Sequence, residues 1–125
     1  MTFEKKKILV VDDSMTNLIL LNGLLDEEGY EVLSTISAKQ GLKIIETDKP
    51  DLVLLDLKMP DISGYDFLKM LYADKSNKTI PVIAVTAIQE EESIKESYKL
   101  GVMDVILKPI QIDQLVTKIK NVFKA

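Results

Sequence analysis

The stretch Ile8-Leu9-Val10-Val11-Asp12-Asp13-Ser14 decides the fold. A short apolar run, preceded by the solvated Lys5-Lys6-Lys7 and closed by two adjacent carboxylates, reads as a buried strand that stops at the acids. Charges placed where a buried strand ends are costly unless something answers them. Two more runs end in the same way. Leu52-Val53-Leu54-Leu55 ends at Asp56, and Val105-Ile106-Leu107 ends at Lys108, followed by Pro109. Clustered acids imply a bound cation, and the lysine implies an anion beside it.

Between these runs the apolar spacing changes to a helical period. After Asp12-Asp13, either Ser14 or Asp13 suits a helix cap, and Leu18, Leu21, Leu24 and Leu25 share one face until Gly29. Tyr30-Glu31-Val32-Leu33 predicts a second strand nearer an edge, because it is less uniformly apolar. Ser37-Ala38-Lys39-Gln40 has the capping-box pattern, and the helix behind it turns Leu42 and Ile45 inward and stops before Pro50. Leu52 to Leu55 is apolar on both faces, as a central parallel strand requires. A helix over 65–72 follows the turn Pro60-Asp61-Ile62-Ser63-Gly64. Pro81 to Val85 predicts the fourth strand. An acidic helix from about Gln89 to Leu100 closes at Gly101. The last helix aligns Ile112, Leu115, Val116, Ile119 and Val122.

Strands alternating with helices make an α/β chain of (βα)5 type, a doubly wound parallel sheet covered on both faces. Right-handed crossovers at this size favour the flavodoxin-like strand order 2-1-3-4-5. Strands one and three are then neighbours at the switch point, where ligands bind beyond the carboxyl ends. Asp12, Asp13 and Asp56 fall there. Thr86 ends strand four and Lys108 ends strand five, so both reach the same crevice. The 125 residues suit one domain, 1–125, with no repeat, linker or low-complexity tract.

Composition narrows the chemistry. Cysteine and histidine are both absent, which removes disulfides, thiolate sites and any imidazole base, ligand or phosphoryl carrier. The net charge of −4 and pI of about 4.9 argue against a direct nucleic-acid partner. No run has the length of a membrane span, and Met1–Lys7 is not followed by a signal-peptide core. These features predict a soluble, cytoplasmic protein with no membrane partner. Oxygen ligands alone point to Mg²⁺, Mn²⁺ or Ca²⁺, and a site with few protein ligands suits Mg²⁺, which keeps waters and shares phosphate oxygens. Lys108 supplies a compact counter-charge and Thr86 a hydroxyl. The set reads as a phosphoryl site in which a carboxylate is the nucleophile.

The chain resembles the receiver domain of bacterial two-component response regulators, and is similar to the stand-alone chemotaxis type. The likeness rests on Asp12-Asp13-Ser14, on Asp56-Leu57-Lys58-Met59-Pro60 running to Ser63-Gly64, on Thr86-Ala87 and on Lys108-Pro109, in that order at the matching strand ends. The resemblance implies Asp56 as phospho-acceptor. It implies Mg²⁺ (or Mn²⁺) held by Asp13, Asp56 and the backbone carbonyl of Lys58, with Asp12 acting through water. Lys108 would hold a phosphoryl oxygen, Thr86 would be the switch hydroxyl, and the Lys108-Pro109 bond would be cis. The donor would be the phosphohistidine of a sensor histidine kinase or histidine phosphotransfer protein. A downstream effector would read the face of helix 4, strand 5 and helix 5. The protein would be a monomer or weak dimer, not a turnover enzyme, assisting transfer to and hydrolysis from its own Asp56. Stand-alone regulator and domain of a larger regulator or hybrid kinase both fit.

Two positions depart from the family pattern. Many receivers carry an aromatic residue three positions before the lysine, where this chain has Val105, so an inward-swinging ring behind Thr86 cannot act as the relay. Position 110 is Ile rather than the frequent Phe. Lys58 and Ile88, each two residues beyond a site residue, are expected to hinder the attacking water and lengthen the phosphorylated lifetime. An aspartyl phosphatase of the haloacid dehalogenase type would need Asp-x-Asp after the first strand, and the acids here are adjacent. A flavodoxin would need a hydroxyl- and glycine-rich loop in place of Asp12–Asn17. A degenerate receiver used only as an interaction surface is opposed by the complete acidic set and Lys108.

Overall fold

The computed structural model describes residues 5–60, 62–87 and 91–124. Five parallel strands, β1 (Lys7–Val11), β2 (Glu31–Thr35), β3 (Leu52–Asp56), β4 (Val82–Ala87) and β5 (Asp104–Lys108), lie in the order β2-β1-β3-β4-β5. The helices between and after them are α1 (Met15–Glu27), α2 (Ala38–Asp48), α3 (Gly64–Ala73), α4 (Glu91–Lys99) and α5 (Ile112–Lys124). The strand order is the one expected from the alternating pattern.

The continuous apolar runs follow from a sheet buried on both faces. Successive side chains of a strand point to opposite sides. Leu9, Val11, Val53, Leu55 and Ala84 therefore join Phe67, Leu68 and Ile45 in one core layer. Ile8, Val10, Leu52, Leu54, Ile83, Val85 and Ile106 join Leu18, Leu21, Leu25, Leu115 and Ile119 in the other. Each strand thus ties the two layers together.

Several boundaries differ from those the sequence suggests. β2 starts one residue later and runs to Thr35, while Tyr30 stays outside it with its ring 5.6 Å from that of Phe123. β4 starts at Val82 and extends through Thr86 to Ala87, because these residues pair in register with Leu107 and Lys108 of β5. A 3₁₀ turn at Lys75–Asn77, capped by Asp74, was not foreseen. Glu91 is the first described residue of α4, so its expected start at Gln89 lies outside the described residues, as do Ile88 and Asp61 of the turn before α3. Ile112, expected to face inward, is exposed; Val116, Leu24 and Leu42 are half-buried.

Helix caps carry much of the local logic. Ser14 caps α1 by accepting the N–H of Asn17, and Ser37 caps α2 by accepting the N–H of Gln40. The return half of the capping box is replaced. The Thr35 hydroxyl accepts the Ser37 N–H at 3.1 Å and itself donates to the Gln40 side chain at 3.2 Å. α2 ends on Lys49 in the left-handed region, at φ 49°, just before Pro50.

Candidate functional site

The register β1–β3–β4–β5 brings four strand ends to one rim of the sheet. Val11 pairs with Leu55, Asp56 with Val85, and Thr86 with Leu107. Asp12 follows the last residue of β1 and is buried. Its backbone N–H donates to the Thr35 carbonyl at 3.2 Å. Its carboxylate is held at both oxygens: one accepts the Ser14 N–H at 2.8 Å, the other the Asn17 side-chain amide at 3.2 Å. Asp13, one residue on, is exposed.

Asp56 is the last residue of β3 and only 4 % exposed. One carboxylate oxygen accepts the Lys58 N–H at 3.0 Å; the other faces the Lys108 ammonium at 3.4 Å. Burial pushes this carboxyl above its usual range, and the charge of Asp12 pushes the same way. The Lys58 N–H and Lys108 oppose both without cancelling them. The loop behind Asp56 is packed closely onto α3. The Gly64 N–H donates to the Leu57 carbonyl at 3.0 Å, and a Cβ on Gly64 would lie 2.6 Å from the Leu57 Cα and 3.0 Å from the Asp56 carbonyl oxygen. Glycine is required there by closeness of approach.

Carboxylate oxygens from Asp12, Asp13 and Asp56 lie within 4.8 Å of one another. Three acids against one partly exposed lysine leave a surplus of negative charge that a divalent cation neutralises. With oxygen donors only, this set fits a hard cation. The Thr86 hydroxyl near the end of β4 is buried, at 2 % exposure, and has no hydrogen-bond partner among the described residues. Buried hydroxyls usually have a partner, so this one at the strand end beside Asp56 fits a site that takes an oxygen-rich ligand. Lys108 joins Pro109 through a cis peptide bond.

The structure therefore gathers Asp12, Asp13, Asp56 and Lys108, and sets Thr86 at the adjoining strand end. Lys58 is exposed and contributes its backbone to Asp56. Asn17 was not singled out from sequence. Its position in the first turn of α1 was the available signal, since side chains there lean back toward the helix start and hence toward the end of β1.

A parallel five-stranded sheet in this order, with an acidic cluster and a lysine at the switch point, defines the class of phosphoryl-accepting signalling domains. The profile of the response regulator receiver domain matches residues 8–120, and the chain belongs to that family. It is 39 % identical over 116 residues to the sporulation initiation phosphotransferase F of Bacillus subtilis, covering 93 % of this chain and 92 % of that protein. It is 34 % identical over 119 residues to the polar-differentiation response regulator DivK of Brucella ovis, covering 93 % and 94 %. Among solved structures, a CheY-like receiver domain protein from Methanospirillum hungatei superposes with a TM-score of 0.86 at 35 % identity, covering 94 % of this chain and 93 % of that one. The chain is accordingly a module of phosphorylation-dependent two-component signalling.

Proposed function

We propose that Asp56 accepts the phosphoryl group, in a Mg²⁺-dependent transfer from a phosphohistidine on a sensor kinase or phosphotransfer partner. The observation that carries this reading is the setting of Asp56, buried between Asp12 and Lys108 with its charge incompletely compensated. A carboxylate oxygen of Asp56 attacks phosphorus. The phosphorus–nitrogen bond breaks as the phosphorus–oxygen bond forms, and the donor imidazole leaves as the neutral group after taking a proton.

Asp13, Asp56 and the Lys58 carbonyl would hold the cation, with Asp12 acting through water. The bound ion supplies charge neutralisation as negative charge gathers on the phosphoryl oxygens. Lys108, 3.4 Å from Asp56, is placed to hold one of these oxygens. The Thr86 hydroxyl, without a partner among the described residues, would donate to another once the phosphoryl group is present. Hydrolysis from Asp56 uses the same groups, with water as nucleophile. Lys58 and Ile88 hinder that water, so Lys58→Ala and Ile88→Ala should shorten the phosphorylated lifetime; unchanged or longer lifetimes would remove this part.

The donor docks beside the acids. Leu20 of α1 and Ile112 of α5, 66 % and 58 % exposed, offer it apolar surface beside Lys108. An adjoining cavity of about 390 Å³ runs from Asn17 and Lys108 along Leu20, Leu24 and Ile110. The output face is α4–β5–α5. Val105 there excludes an aromatic relay, so Thr86 transmits through the packing of β4 and β5. No described helix is long and apolar enough to cross a membrane. Residues 1–125 are proposed to form one receiver domain, cytoplasmic and a monomer or weak dimer.

Incubation with Mg²⁺ and acetyl phosphate, followed by intact mass, tests this assignment. One added phosphoryl group is expected in wild type and none in Asp56→Asn. No adduct in wild type, or an undiminished one in the variant, would overturn it.

A further inference from the structure

Asp12 has a third attachment that the family motifs do not include. Beyond its backbone and the Ser14 N–H, its outer oxygen is held by the Asn17 side chain at 3.2 Å. A carboxylate only accepts, so the amide must present its NH₂ to Asp12 and leave its carbonyl oxygen directed elsewhere. Asn17 is half-buried, three residues into the helix that Ser14 caps, and also lines the cavity that reaches Lys108. Nothing else among the described contacts fixes that oxygen of Asp12.

We infer that Asn17 is a positioning residue for the cation site: it fixes the rotamer of Asp12 so that the three carboxylates converge. Without Asn17 one oxygen of Asp12 is unrestrained, and the side chain pivots about its remaining bond to Ser14. The backbone of Asp12 stays pinned to Thr35. The loss therefore falls on ligand geometry and not on the fold. Groups that orient a ligand from outside its first contacts are commonly worth about 10–100-fold in metal affinity. The dependence is steeper for Mg²⁺, which demands near-octahedral order, than for Ca²⁺, which tolerates irregular sites. The inference rests on the proposed cation site, and the experiment separates the two.

The test is titration of the full chain with Mg²⁺ and separately with Ca²⁺, by calorimetry or by amide shifts of residues 12–14 and 56–58. Wild type, Asn17→Ala, Asn17→Leu, Asp12→Asn and each double variant are compared, with melting in the absence of divalent ions as the control for folding. Asn17→Leu keeps the bulk of the side chain, so it reports the lost donor if Asn17→Ala packs poorly. Both Asn17 variants should lose about tenfold in Mg²⁺ affinity, at the lower end of such effects, and less in Ca²⁺ affinity. Neither substitution should have an effect once Asp12 is Asn. Mg²⁺ affinity within about twofold of wild type, the additivity error of independent sites, would overturn the inference. So would an undiminished loss in the Asp12→Asn background, or equal losses for both ions. Failure of wild type to bind Mg²⁺ at all would overturn the cation site and this inference with it.

Discussion

Gly64 rests directly on the backbone of Leu57, with its N–H bonded to the Leu57 carbonyl at 3.0 Å and no room for a Cβ between the two residues. The start of α3 thereby braces the turn that follows the acceptor carboxylate. Ser63 caps that helix by accepting the Asp66 N–H, so cap, helix and turn form one unit. Gly64→Ala drives a methyl into main chain that cannot yield as a flexible side chain would. A loss of about 1–3 kcal/mol in chemical denaturation is expected, typical of overpacking. Asp56 phosphorylation should slow in the same variant, because the Lys58 N–H is displaced from Asp56.

Asp56 should cost the apo protein stability at neutral pH. Burial raises its folded-state pKa above the value in the unfolded chain, and the nearby Asp12 charge adds to the rise. The folded state then holds the proton more firmly than the unfolded state does, and ionisation favours unfolding. Asp56→Asn should therefore melt higher than wild type at pH 7 without divalent cations. That advantage should shrink as pH falls through the folded-state pKa of Asp56 and be gone below the unfolded value. Mg²⁺ should raise the melting temperature of wild type more than that of the variant. Melting curves across pH, with and without Mg²⁺, check both statements.

Val105 is 8 % exposed and borders a surface groove shared with Leu107, Gln114 and Lys118. Val105 belongs to the core at its edge, and a larger side chain there can turn its outer end into this groove. Val105→Tyr should therefore cost no more than the roughly 1–3 kcal/mol of an overpacked site. In wild type, phosphorylation should perturb amide signals around Thr86 and along β4–β5. In the variant the perturbation should extend further over α4 and α5, because a ring can follow the Thr86 hydroxyl inward.

The C-terminal end of α2 stores a small, separate strain. Lys49 adopts φ 49°, a conformation that costs a residue with a Cβ roughly 1–2 kcal/mol and glycine little. Lys49→Gly should raise stability by about 0.5–1 kcal/mol after the added entropy of the unfolded chain. Phosphorylation should be unchanged, since Lys49 lies at the opposite end of the sheet from Asp56. Denaturation midpoints and acetyl phosphate labelling provide the two readings.

The residues that were legible in the sequence are those whose signal is local. A strand buried on both faces must be apolar throughout, so Ile8–Val11 and Leu52–Leu55 identify themselves. A charge at the end of such a strand has few explanations, so Asp12, Asp13, Asp56 and Lys108 stand out as well. β2 was less clear because Glu31, Ser34 and Thr35 belong to an edge strand, where polar side chains reach solvent or cap the next helix. The apolar run marks β4 only to Val85, whereas pairing with β5 carries the strand through Thr86 to Ala87. The roles of Gly64 and Asn17 depend on approaches between elements. Composition marks a glycine and an asparagine, but only the packing of α3 on the β3 turn, and of α1 on the end of β1, shows what they touch.

The central claim is that one side chain, Asp56, carries the phosphoryl group. After incubation with Mg²⁺ and acetyl phosphate, borohydride reduction converts an aspartyl phosphate to homoserine, and peptide mass mapping then locates it. The account predicts homoserine at position 56 and nowhere else. Conversion at Asp12 or Asp13, or a phosphate that survives borohydride on a serine or threonine, would contradict it.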